Sequence, residues 1–101
     1  MTEPLSTDEI AVALETLSEW HREDGALVRV VIVSPEAREQ MEEAVMTAAD
    51  ELGHRPEITE HPDGARVALT TPDAAGVTTD DVELAARIDE IVDAARDEGV
   101  T

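Results

Sequence analysis

Acid–base chemistry in this chain begins with three histidines, His21, His54 and His61, the side chains whose ordinary ionisation lies nearest neutral pH. There is no cysteine, which removes thiolate nucleophiles, thiolate metal ligands and disulfides from consideration. His61 lies seven positions beyond His54 in a segment that reads as extended. At about 3.3 Å per residue the two stand roughly 20 Å apart, too far to share a site within one subunit. His21 falls on a short strand, and both it and His61 read best as solvent-exposed. His54 directly follows Gly53.

The elements that must position it can be read from caps, turns and periodicity. Ser6 and Glu9 have capping-box spacing at a helix start, and Ile10, Ala13, Leu14 and Leu17 then share one helical face. Residues 20–22 read as a short strand, Glu23-Asp24-Gly25 as a turn, and 26–33 as the clearest strand, rich in β-branched residues. Along it Val28, Val30 and Ile32 alternate with Leu27, Arg29, Val31 and Val33. With the first set under the helices, the other sheet face carries Leu27, Val31 and Val33. That face is more apolar than solvent exposure favours, and is a candidate subunit contact.

Ser34-Pro35 opens a second helix, with Ser as cap and Pro at the first position, and Gly53 stops it. Its expected buried stripe is Ala37, Met41, Ala44, Val45, Ala48 and Leu52. A second hairpin runs from 57 to 61, turns through Pro62-Asp63-Gly64 and returns over 65–71. Thr78 and Asp81 have capping-box spacing before a last helix over 82–97, which buries Leu84, Ala85, Ile88, Val92 and Ala95 and ends at Gly99. The order α-β-β-α-β-β-α implies an α+β domain. Two hairpins side by side make a four-stranded antiparallel sheet, with three helices packed on one face.

Composition narrows the partners. The 101 residues make one domain, 1–101, whose core must be aliphatic because Trp20 is the only aromatic residue. Such a small core would gain from association with a second copy. A formal net charge of -18 repels nucleic-acid phosphates and anionic headgroups, so neither direct nucleic-acid nor membrane binding is expected. The same charge suits adaptation to high salt, or simply a soluble acidic protein. Met1-Thr2-Glu3-Pro4 lacks a signal-peptide pattern, and no apolar run reaches the roughly 20 residues of a membrane span, so the cytoplasm is the expected location.

Gly53-His54-Arg55-Pro56-Glu57-Ile58, answered by the run Thr70-Thr71-Pro72-Asp73 and then Gly76-Val77-Thr78-Thr79-Asp80-Asp81, resembles the signature of the pterin-4a-carbinolamine dehydratases. That family pairs His-His-Pro-Glu with Thr-His-Asp/Glu and Gly-Leu-Thr-x-x-Asp. The opening helix, Trp20 and Ala49-Asp50 also match in order, so the resemblance spans roughly Leu5 to Val92. It implies the same α+β fold and a 4a-hydroxytetrahydrobiopterin dehydratase activity: loss of water from 4a-hydroxytetrahydropterin to give quinonoid dihydropterin. No metal or organic cofactor is implied. The partners implied are the pterin substrate and further copies of the chain, as a homodimer or homotetramer.

Residue by residue, the resemblance makes His54 the catalytic acid or base. Gly53, His54, Arg55, Glu57, Thr70, Thr71, Pro72 and Asp73 become the wall of the pterin site. Arg55 stands where the family has its second histidine, and a guanidinium donates hydrogen bonds but does not exchange protons near neutrality. Pro72 stands in place of the third and has no side-chain donor. Glu57 and Asp73 are carboxylates that would act as acids near neutrality only if burial raised their pKa, an effect that Arg55 opposes. Asp81 matches the family too, and its capping spacing gives it a structural role. Loss of two histidines also motivates an alternative, a catalytically inactive dehydratase-like fold serving as a protein-interaction or assembly module.

Overall fold

Helix α1 (Thr7–Thr16) starts as its capping box dictates. Ser6 Oγ accepts from Glu9 N–H at 3.1 Å, and Glu9 returns a carboxylate oxygen to Ser6 N–H at 3.0 Å. That backbone hydrogen bond, with the Ser6 side chain second, holds the Glu9 carboxyl below its ordinary value of 4.5. A depressed carboxyl contributes stability at pH values above the unfolded one and loses it as pH falls through the folded one. Thermal melts of wild type and Glu9→Gln should therefore differ at neutral pH, with the wild-type advantage gone in strong acid.

The computed structural model describes residues 4–23, 25–71, 74 and 76–98. After α1 come β1 (His21–Glu23), β2 (Ala26–Ile32), α2 (Pro35–Leu52), β3 (Glu57–His61), β4 (Gly64–Leu69) and α3 (Thr79–Glu98). The expected order and the four-stranded antiparallel sheet are both present. Its strand order is β1-β2-β4-β3, so the two hairpins join through β2 and β4. The helices lie on one face, with α2 packed on α3 and over β4, and α3 over β2. Strand β1 starts one residue later than the sequence suggested, because Trp20 turns inward and is 4% exposed. The expected turn residue Asp24, the helix stop Gly99, the N-terminal Met1, Thr2 and Glu3 and the side chain of Ala95 lie outside the described residues. Among the described residues no helix is long and apolar enough to cross a membrane.

The facing of β2 is the reverse of the expectation. Leu27 and Val31 are in the core with Ala65, Val67 and Leu69, and Val33 packs against it, while Ile32 is 68% exposed on the side away from the helices. Leu27, Val31 and Val33 are therefore covered by this chain's own helices and are not a subunit contact. Arg29 shares their face. Its guanidinium is 3% exposed and bonds to Asp89 of α3, whose same oxygen also accepts from the Trp20 indole N–H at 2.8 Å. A buried cation survives there because a carboxylate meets it. On the open face Val28 is still buried. Arg66, opposite Val30, reaches Glu23, opposite Ala26, at 3.3 Å and so spans the position of Val28.

In α2 the buried positions are Met41, Val45, Ala48 and Ala49; Ala44, expected in the stripe, is exposed. At the β3–β4 turn, Gly64 admits no side chain. A Cβ there would collide with the Val31 carbonyl oxygen and stand 2.8 Å from Val33 N, both backbone atoms of the paired strand. Gly64→Ala must push β4 away from β2 at the Ile32–Gly64 pair, a change expected to cost roughly 2 kcal/mol by chemical denaturation.

Candidate active site

The end of α2 places His54. Gly53 adopts φ 67°, the left-handed conformation that a residue with a Cβ resists, and caps the helix. Gly53 N–H donates to Asp50 O at 3.2 Å and His54 N–H to Ala49 O at 2.9 Å, the two-bond closure of a Schellman end. His54 is thus the first residue to leave the helix, with its backbone tied down. Buried Pro56 then carries the chain into β3.

Asp81 arrives from the start of α3. It is fully buried. Its Oδ2 accepts from Thr78 N–H at 2.8 Å, the cap that the spacing announced, and from the Thr71 hydroxyl at 2.8 Å. The Thr78 hydroxyl stands 2.9 Å from Thr71 Oγ1 and donates to it once Thr71 has given its own proton to Asp81. Thr71 is held at the end of β4 by a bridge to Gly76, its N–H donating to Gly76 O at 2.9 Å. The other carboxylate oxygen, Oδ1, meets His54 Nε2. Every neighbour of Asp81 is a donor, and the helix N-terminus favours negative charge there, so the group is an acceptor on all sides.

This arrangement specifies the imidazole. A carboxylate at Nε2 requires the ring proton on that nitrogen, which leaves Nδ1 to accept a proton when the ring is neutral and to donate one when it is cationic. Nδ1 has no hydrogen-bond partner among the described residues, and the side chain is 13% exposed. A base held in one tautomer by a buried third group is the usual geometry of a proton-transfer site. Among the described residues no group of three or more His, Asp or Glu side chains is arranged to hold a metal.

The residues expected at the site separate. His54 and Thr71 meet through Asp81, and Gly53 sets the entry of His54. Arg55 turns outward, 76% exposed, with Nε 3.5 Å from Asp50. Glu57 is exposed and pairs with Ala68 on the sheet face away from the helices. The Thr70 hydroxyl donates to Gly25 O at 3.3 Å, toward the β1–β2 turn. Pro72 and Asp73 lie outside the described residues. His21 bonds to Glu23 at 3.0 Å and His61 Nδ1 accepts from Asp63 N–H, so neither joins His54. Asp81 is the residue whose part the sequence understated. The capping spacing accounts for one oxygen, and nothing local signals the second, 27 residues from its partner.

The model of the family described as pterin 4 alpha carbinolamine dehydratase matches residues 3–91. A protein of Nocardia farcinica, named provisionally a pterin-4-alpha-carbinolamine dehydratase, is 36% identical over 89% of this chain and 96% of its own length. A Chloroflexus aurantiacus protein of the same provisional name is 38% identical over 87% of the chain and 96% of its length. One from Haloarcula marismortui is 36% identical over 92% of the chain and all of its own length. Among solved structures, the transcriptional coactivator/pterin dehydratase of Brucella melitensis superposes with a TM-score of 0.82 at 25% identity, covering 89% of this chain and 99% of that one.

Proposed function

The chain belongs to the pterin-4a-carbinolamine dehydratase family, and from that premise we propose that it removes water from 4a-hydroxytetrahydropterin to give quinonoid dihydropterin. The observation that carries this reading is the His54–Asp81 pair, which leaves Nδ1 of an oriented imidazole without a partner among the described residues. His54 is the catalytic residue, and Asp81 is a positioning residue that orients the ring and balances the charge of the imidazolium. Gly53 and Thr71 hold these two in place. Arg55, Glu57 and Thr70, expected in the pterin wall, are directed elsewhere in the fold, and Pro72 and Asp73 lie outside the described residues, so the proposed site rests on Gly53, His54, Thr71 and Asp81. The working protein is a homodimer or homotetramer in the cytoplasm, needing no metal or organic cofactor. Following quinonoid dihydropterin formation with wild type and His54→Ala tests the reading: a wild-type rate no faster than the uncatalysed one ends it.

A second reading has its own support. Two of the family's three histidines are replaced by Arg55 and Pro72, Arg55 is occupied with Asp50, and the Brucella melitensis neighbour is named a coactivator as well as a dehydratase. On that reading the domain is an assembly module without pterin affinity. Measurable dihydropterin binding by calorimetry would remove it.

A further inference from the structure

We propose that His54 performs both proton transfers of the dehydration through a single atom, Nδ1, an inference that rests on the dehydratase reading above. The observation is that one ring nitrogen is already spent. Nε2 is committed to Asp81, and Asp81 is itself filled by Thr71 and Thr78. The Thr78–Thr71 hydroxyl chain ends on that carboxylate and delivers no proton elsewhere. Among the described residues the charged groups on the segments meeting here include Asp50, Glu51, Arg55, the exposed Asp80, Asp81 and Arg87, and Asp73 lies outside those residues. Of these, Arg55 pairs with Asp50, Arg87 pairs with Glu51 at 3.4 Å, and Asp81 alone bonds the ring. A guanidinium keeps its proton, so Arg55 cannot serve as the second acid–base group.

The substrate makes one nitrogen sufficient. The departing hydroxyl is on C4a and the departing proton on N5, two adjacent ring atoms, so a donor seated over their bond reaches both with a small shift. The Nδ1–H of the imidazolium protonates the hydroxyl, and the C4a–O bond breaks with its electron pair leaving as water. The N5 lone pair forms the N5=C4a bond, giving the N5-protonated quinonoid species. Neutral Nδ1 then takes the N5 proton, whose bonding pair stays on nitrogen. Imidazolium is regenerated, one water is lost, and no oxidant or further reactant enters. Acid must act first, because a secondary amine N5–H is far too weak an acid to give up its proton to imidazole before the hydroxyl leaves.

A shuttle of this kind depends on the protonated form of one group, whereas a separate acid and base give a bell. The test is the pH dependence of kcat/KM after subtraction of the uncatalysed rate, for wild type and for His54→Gln. The Gln amide keeps an N–H for Asp81 and so protects the fold while removing Nδ1. We expect a wild-type plateau on the acid side with one descending limb, and in His54→Gln a rate at least about 100-fold lower without that limb. A bell-shaped wild-type profile overturns the shuttle but leaves the dehydratase reading standing, since a second group, Asp73 included, would supply the ascending limb. A descending limb that survives in His54→Gln overturns it equally. A wild-type rate at the uncatalysed level overturns both.

Discussion

Replacing His54 by alanine is expected to lower dehydration of 4a-hydroxytetrahydropterin by about 10²- to 10⁴-fold while the protein stays folded. The size follows from the ring's being, among the described residues, the one oriented imidazole at the cluster. Folding should survive because the side chain lies at the margin of the core, 13% exposed, and Asp81 keeps Thr71 and Thr78 as donors after its loss. The stability cost is that of one charge-assisted hydrogen bond, about 1.5–3 kcal/mol. The check is formation of quinonoid dihydropterin against a protein-free control, with far-UV circular dichroism on the same sample. A variant that is folded and as fast as wild type would remove His54 from the chemistry.

Asp81 is expected to show the largest combined effect on stability and activity. Truncation to alanine strips the α3 cap, leaves the buried Thr78 N–H without its acceptor, and frees the His54 ring. Losing a buried, hydrogen-bonded charge from a network costs about 3–5 kcal/mol. For a domain of this size that corresponds to a drop in Tm of roughly 12–40 °C, at about 4–8 °C per kcal/mol. Asp81→Asn separates positioning from folding. The amide oxygen can keep Thr71 and Thr78, and its NH₂ then faces His54 Nε2, which must turn acceptor and move the ring proton to Nδ1. Stability falls modestly while kcat falls by about 10³- to 10⁴-fold, the scale seen when a histidine is forced into the wrong tautomer. Equal small losses in stability and rate would assign Asp81 to the cap alone.

Local features were legible without coordinates. Ser6–Glu9, Ser34-Pro35 and Gly53 each mark a helix end because capping involves residues within a few positions of one another. Strand β3 at Glu57–His61 followed for the same reason, whereas β4 takes in Gly64, expected in the turn, and stops at Leu69 rather than at residue 71. Facing on β2 did not. Period-2 alternation separates two sets of side chains but does not say which set the helices cover, and Arg29 in the buried set is tolerated only because a partner neutralises it. Its neutralising partner, Asp89, is 60 residues away on another element. Ala44 and Ala49 exchanged places for a related reason: small residues carry little signal about which side of α2 meets α3.

The candidate site divides along the same line. From the residues and their spacing came the α+β order, the cap joining Thr78 to Asp81 and the motif that resembles the family, and that resemblance singled out His54. Each depends on residue type or on short-range geometry. Only the folded chain decided that Asp81 spends its second oxygen on His54, that Thr71 supports it while Thr70 turns to Gly25, and that Arg55 leaves the cluster for Asp50. The His54–Asp81 and Thr70–Gly25 contacts join residues 27 and 45 positions apart on different parts of the fold. A side chain's direction at such a junction is set by packing across the sheet, which no local pattern encodes.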